Sequence, residues 1–149
     1  MSLDPYNEIL PGLYLGGTPS SCDLQFEGNP SIFPGIDLVC SFHRYSSPVI
    51  GGTIELRYYY EDDPNIGLDP NDAPKLAEVA AVALRQWKSG KNVLFRCSGG
   101  RNRSGLVLGL MLRMDGYSAD DAIQLMRIKR DASVMHNEDF NQALRDWAL

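Results

Sequence analysis

Apolar residues recur along this chain with two different periods, and the points where the period changes mark its elements. Glu8 to Gly17 carries apolar residues on both sides of Pro11-Gly12, which predicts two short strands joined by a tight turn. Thr18 to Gly35 is rich in Pro, Ser, Gly and Asn and reads as a loop with at most one helical turn, around Asp23 to Phe26. Ile36 to Phe42 is a short apolar run of the kind found in strands buried on both faces. A loop from His43 to Gly52 follows at its carboxyl end. Thr53 to Tyr60, rich in β-branched and aromatic residues, predicts another strand, closed by the acidic turn Glu61-Asp62-Asp63-Pro64.

Asn71-Asp72-Ala73-Pro74 is a helix start, with a cap candidate and Pro in the first turn. Leu76, Val79, Ala80, Ala83, Leu84 and Trp87 then share one helical face as far as Ser89-Gly90. Val93 to Cys97 is a buried strand, and Ser104 opens a helix, Gly105 to Met114, that is apolar nearly all round and therefore central. Asp115-Gly116 ends it. Ser118-Ala119-Asp120-Asp121 caps the next helix, whose Ala122, Ile123, Leu125 and Met126 point inward. Arg127, Lys129 and Arg130 form its basic end, a placement favourable to the helix dipole. Asn137 caps a last helix bearing Phe140, Leu144 and Trp147 on one side. Strand, helix and strand in short succession predict an α/β fold over residues 1–149. We expect a single domain with a mostly parallel sheet of about five strands flanked by helices, and a phosphate-binding loop between a strand and a helix.

That loop carries the chemistry. Cys97 ends the strand, Gly99 and Gly100 let backbone N–H groups turn inward without Cβ obstruction, and Arg103 follows at the helix start. Ser98, Gly99, Gly100, Arg101 and Asn102 thus form a cradle for a phosphate-sized anion, and Arg103 can bind two of its oxygens side by side. The helix N-terminus adds positive field, which favours Cys97 as a thiolate nucleophile.

Cys97-x-x-Gly100-x-x-Arg103-Ser104 resembles the signature of the cysteine-dependent protein tyrosine and dual-specificity phosphatases. Ile9 with Leu13-Tyr14-Leu15-Gly16 is similar to the opening of the dual-specificity group, and Ser133…Asn137-x-x-Phe140-x-x-x-Leu144 is similar to its close, so the likeness spans nearly the whole chain. The resemblance implies a cysteinyl-phosphate mechanism with Cys97 as nucleophile, Arg103 holding phosphate and Ser104 bonding the cysteine sulfur. Asp62 is the general acid it implies, with Asp63 as the neighbouring alternative. Arg96 stands where the family has His, and strand alternation turns it away from Cys97. Cys40 is either a small buried residue or, as in some members, a disulfide partner of Cys97. His43 and Arg44 read as solvated loop residues or as the rim of the pocket.

Composition narrows the rest. Over 149 residues the net charge of -5 argues against broad binding to nucleic acid or an acidic membrane. Three cysteines without close pairing point to a reducing compartment, the cytoplasm, and Cys22 has no further reading. The longest apolar run, Leu106 to Leu112, is too short to span a bilayer. With two His and no convincing ligand spacing, neither metal nor cofactor is expected. The expected partner is a phosphorylated protein or another phosphomonoester, met by a monomer. A phosphate-binding module without turnover is the alternative, as is a phosphatase for phosphoinositides or RNA 5′-phosphates, to which the extra charge of Arg101 points. Sulfur transfer and arsenate reduction also use a cysteine in an anion cradle, but the flanking segments disfavour them.

Overall fold

The computed structural model describes residues 6–17, 33–44 and 46–149. Cys22, the turn expected around Asp23 to Phe26 and most of the loop expected from Thr18 lie outside the described residues. The elements are β1 (Tyr6–Leu10), β2 (Leu13–Gly17), β3 (Leu38–Ser41), β4 (Ile54–Arg57), α1 (Ala73–Lys88), β5 (Val93–Cys97), α2 (Arg103–Met114), α3 (Ala119–Lys129) and α4 (Glu138–Asp146). Their sheet order is β1-β2-β5-β3-β4, antiparallel only between β1 and β2. This is the mostly parallel five-stranded α/β arrangement that the alternating periods predict.

β5 is the middle strand and is buried along its whole length, parallel to β2 on one side and β3 on the other. A strand with neighbours on both edges and covered faces has no place for polar positions, hence the unbroken apolar run before Arg96. Alternation divides its residues. Val93, Phe95 and Cys97 join the large core, to which all four helices contribute, while Leu94 joins a smaller cluster with Ile36 and Val39 beneath Tyr6, Tyr14 and Phe33.

Arg96 lies on the smaller face, only 4% exposed. Its Nε donates to Ser41 Oγ at 2.8 Å, Nη2 donates to the Ser47 carbonyl at 2.5 Å and to Glu55 Oε2 at 3.2 Å, and the Phe33 ring lies over the guanidinium. Burial opposes its charge, and the Glu55 carboxylate offsets that cost. Arg96 therefore joins β5 to β3, β4 and the segment after β3. Its side chain belongs to the sheet rather than to the loop that follows Cys97.

The helices begin and end much as their punctuation predicts. Ser118 Oγ accepts from the Asp121 N–H at 3.0 Å, and Asn137 Oδ1 accepts from the N–H groups of Asp139 and Phe140. Asp72 occupies the first cap but makes no side-chain capping bond; its Oδ1 accepts from the Tyr58 hydroxyl at 2.6 Å instead, fastening α1 to the chain beyond β4. In α2 every residue from Ser104 to Leu112 is buried, and Gly109 lets α4 close in: a Cβ there would lie 2.7 Å from Leu144 Cδ2. Among the described residues no helix is long and apolar enough to cross a membrane.

Replacing Glu55 with Ala strands the Arg96 charge and should cost about 3 kcal/mol in urea unfolding. Arg96→Leu should cost less, because the Glu55 carboxylate keeps the Ser41 hydroxyl and the Arg57 guanidinium, at 2.6 and 3.0 Å. Equal losses would show that the pair does not govern this face.

Candidate active site

The register of β2 and β5 sets the site. Gly17 pairs with Cys97, and Gly16 with Arg96, so the glycine end of β2 lies under the loop that leaves β5. A Cβ on Gly17 would meet the Ser98 carbonyl oxygen at 2.6 Å and the Gly100 nitrogen at 2.9 Å. Gly100 has φ of +66°, and its Cβ would fall 2.4 Å from the Gly16 carbonyl carbon. Two backbones touch here, and both positions require glycine.

The loop's carbonyl groups are gripped from outside. Arg130 Nε donates to the Gly100 carbonyl at 2.9 Å and its Nη2 to that of Gly99 at 3.2 Å, while Nη1 reaches Asn7 Oδ1 on β1 at 2.7 Å. The Met135 N–H donates to the Arg101 carbonyl at 3.2 Å and the Leu106 N–H to that of Asn102 at 2.8 Å. Met135 does this from a left-handed conformation, φ of +59°, in the chain between α3 and α4. By contrast, no described residue accepts a hydrogen bond from the backbone N–H groups of Ser98, Gly99, Gly100, Arg101 or Asn102. Arg103 Nε is likewise buried without a partner among the described residues. Donors left unused beside a buried sulfur are what binding of an anion requires.

Cys97 is 2% exposed, and its Sγ lies 3.1 Å from Ser104 Oγ. Tyr60, which ends the stretch after β4, donates its hydroxyl to the Arg103 carbonyl at 2.5 Å. Burial, and then the charge of Cys97, keep that phenol protonated well past its usual range. Its ring stacks on Phe140 and meets Phe42 edge-on, so the first turn of α2 is tied to the core.

Asp62 stands beside the loop. Its Oδ1 accepts from Asn137 Nδ2 at 2.6 Å and its Oδ2 from Asn102 Nδ2 at 3.1 Å. Asp63 is spent on its own turn: Oδ1 accepts from the Asn65 N–H, and its carbonyl accepts from Ile66 and Gly67. Of the two neighbouring acids, Asp62 is the one that touches the loop. Arg101 Nε is paired with Asp131 at 3.2 Å, so its charge is matched within the protein. Arg44 lies over the Tyr59 ring, 4.6 Å from its centroid, and the Tyr59 hydroxyl is bonded to Glu61. That hydrogen bond and burial raise the Tyr59 phenol, opposed by the charges of Arg44 and Arg103, which places this rim near the loop.

Cys40 and Cys97 are both free thiols. Cys40 pairs with Phe95, two residues short of Cys97. Strand geometry then separates their Cα atoms by about 8 Å, beyond the ~7 Å that a disulfide spans without backbone movement. Burial also pushes the Cys40 thiol far up, away from its reactive form.

The basic end of α3 has a larger part than the helix dipole gives it. Arg130 clasps the loop, and Arg127 donates to the Val134 carbonyl at 2.8 Å. Nothing local separates these arginines from an ordinary cationic helix end, because their acceptors lie in distant segments. Asn102 and Asn137 were readable as a loop residue and a cap, but not as neighbours.

No protein-family model matches the sequence, and no curated protein matches it. Solved structures do. Human DUSP28 superposes with a TM-score of 0.73 at 23% identity, covering 97% of this chain and 95% of that one. Tk-PTP in its active form gives 0.69 at 20%, covering 97% and 98%. PTPMT1 in complex with PI(5)P gives 0.63 at 17%, covering 95% and 97%. The chain has the fold of the dual-specificity phosphatases.

Gly17→Ala should weaken binding of tungstate, read by calorimetry, and cost about 1–3 kcal/mol through overpacking; unaltered binding would show that the loop tolerates the displacement. A second expectation concerns pH. Burial works against the Asp131 carboxylate, but hydrogen bonds from Ser133 and the Arg101 charge prevail and hold its carboxyl below the usual range. The resulting stability is present above the ordinary carboxylate range and lost as pH falls through the lowered value. The gap in Tm between wild type and Asp131→Asn should therefore shrink from about pH 5 downward.

Proposed function

We propose that this protein is a phosphomonoester hydrolase that works through a cysteinyl-phosphate intermediate, of the protein tyrosine and dual-specificity type. The observation that carries the reading is a run of donors beside a buried sulfur that no described residue accepts from, the loop N–H groups and Arg103 Nε, while the Gly99, Gly100, Arg101 and Asn102 carbonyls are engaged elsewhere. Water or a neutral ligand would leave such a positive site unmatched; a phosphoryl dianion satisfies it.

In the first step Cys97 Sγ attacks phosphorus, the S–P bond forms as the P–O bond to the leaving group breaks, and Asp62 gives that oxygen its proton. The loop N–H groups and Arg103 hold the three equatorial oxygens. Ser98, Gly99, Gly100, Arg101 and Asn102 contribute through their backbones; the Arg101 and Asn102 side chains are engaged by Asp131 and Asp62. In the second step Asp62, now a carboxylate, takes a proton from water as its oxygen attacks phosphorus, and the S–P bond breaks. Ser104 Oγ, 3.1 Å from the sulfur, stabilises the departing thiolate.

A phosphoinositide substrate is the second reading, supported by the likeness to PTPMT1, which was crystallised with PI(5)P. The Arg101–Asp131 pair weighs against it, since the added cation is not free to meet a second phosphate. A non-catalytic role draws its motive from Arg96 in place of His; against it, Arg96 faces away from the loop and is bonded to Ser41 and Ser47, and Cys97, Arg103, Ser104 and Asp62 are all present. We take the whole chain to act as one catalytic domain, monomeric and cytoplasmic.

Turnover of an aryl phosphate should fall below detection in Cys97→Ser, by about 10³-fold in Arg103→Ala and by about 10²-fold in Asp62→Ala. Asp63→Ala should stay near wild type. An inactive wild type that still binds tungstate would identify a binding module instead, and a loss in Asp63→Ala without one in Asp62→Ala would move the acid by one residue.

A further inference from the structure

The two edges of the sheet differ. β1 is irregular, with its register shifted between Glu8 and Leu10, whereas β4 runs evenly along β3 and has no neighbour on its outer side among the described residues. Sheets commonly blunt such an edge with a bulge, a proline or a lysine. Ile54-Glu55-Leu56-Arg57 carries none of these, and Ile54 is 67% exposed. The Ile54 N–H donates to the Asp37 carbonyl at 3.0 Å and the Tyr58 N–H to that of Ser41 at 2.8 Å, both on the inner side. Successive residues of a strand aim their backbone groups at opposite edges, so Leu56 also faces β3 while the N–H and C=O groups of Glu55 and Arg57 point outward. Side chains sort by face. Ile54, Leu56 and Tyr58 share the side of α1 and, with Val79 and Val82, line an open groove there. Glu55 and Arg57 lie on the opposite side, that of Arg96. The hydrogen bonds that Glu55 accepts from described side chains fall on Oε2, and those that Arg57 makes come from Nη2, leaving Glu55 Oε1 and Arg57 Nη1 unused among the described residues.

We propose that β4 pairs with β4 of a second copy of this chain, antiparallel about a two-fold axis through Leu56. In that register the N–H and C=O groups of Glu55 exchange hydrogen bonds with those of Arg57 in the second copy, and symmetry repeats the pair, so the outward groups are all used. Each Glu55 then faces an Arg57 on one side of the sheet. On the other side the two Leu56 side chains meet at the axis, with Ile54 opposite Tyr58 of the second copy. Moving the axis to Glu55 or to Arg57 would set like charges opposite each other, and a slip of a single residue on one strand would take the backbone groups out of line. The charge pattern of the edge therefore selects one register and fits a copy of itself. The contact is small, one strand and one helix flank from each copy, below the ~1,200 Å² of firm interfaces, so the pair forms at high concentration and separates on dilution. Cys97 lies on β5, two strands away from β4. Each copy keeps a whole site, and the single chain remains the catalytic unit.

Sedimentation equilibrium between about 5 µM and about 500 µM should show the mean mass rising from one chain toward two. Ile54→Lys, which blunts the edge without entering the core, should hold the chain single over that range and leave thermal unfolding and aryl phosphate turnover at their wild-type values. Arg57→Glu, which sets acid against acid at both pairs, should also abolish association. Arg57 holds the Ser46 and Ser47 carbonyls as well, so the Ile54 variant decides if Arg57→Glu folds poorly. Amide hydrogen exchange reads the register. As concentration rises, the Glu55 and Arg57 N–H groups should exchange about tenfold more slowly, while that of Leu56, already bonded within the sheet, changes little. A chain that stays single at the highest concentration would overturn the proposal and leave the edge to a strand of another protein. Association that Ile54→Lys leaves intact, or that slows exchange elsewhere but not at Glu55 and Arg57, would overturn it too, by placing the contact on another surface.

Discussion

A cradle of backbone N–H groups exists only where the carbonyl groups of the same peptides are held elsewhere, and the segment from Ser98 to Asn102 is built around that constraint. Each peptide plane fixes its N–H opposite its C=O. Arg130 on the Gly99 and Gly100 carbonyls, and the Met135 N–H on that of Arg101, therefore set the directions of the amides between them. The grip comes from the end of α3 and the chain leading to α4, far away in sequence. Glycine at 17 and 100 lets β2 serve as the floor. What looks like a self-contained loop is held on every side by other elements.

The second constraint is the burial of β5. A strand buried on both faces has to deliver Cys97 into the helix-covered core and turn Arg96 toward the opposite face, where a cation needs acceptors. Ser41, Ser47 and Glu55 supply them, and the ion pair binds three strands and the segment after β3 into one unit. Breaking such a pair leaves a charge that neither water nor neighbours can match. The residue preceding Cys97 is thereby tied to the rigidity of the platform rather than to the loop that follows.

Asp62 shows how a weak local signal acquires meaning from packing. Three consecutive acids after a strand form a common solvated turn, and any of them could face the ligand edge. Tertiary contacts separate them: Glu61 serves Tyr59, Asp63 closes its own turn, and Asp62 is met by the side-chain amides of Asn102 and Asn137. Cys40 is the converse. Its place near the end of β3 suggested reach toward Cys97, but pairing with Phe95 and complete burial leave it a core residue.

The strands, the helices, the central place of α2 and the chemistry of Cys97, Arg103 and Ser104 are properties of the sequence itself. Hydrophobic period and turn residues act over a few positions, and the loop brings Cys97 and Arg103 together within one short stretch. The clasp of Arg130, the neutralisation of Arg101 by Asp131, the buried pair of Arg96 with Glu55 and the meeting of Asp62, Asn102 and Asn137 were decided only by the tertiary structure. Each joins groups from separate elements, and a side chain's partner across such a distance depends on strand order and register rather than on its neighbours in the chain. Arg130 has the sequence context of any cationic helix end; it becomes part of the site because α3 packs against β1 with its last turn beside the loop.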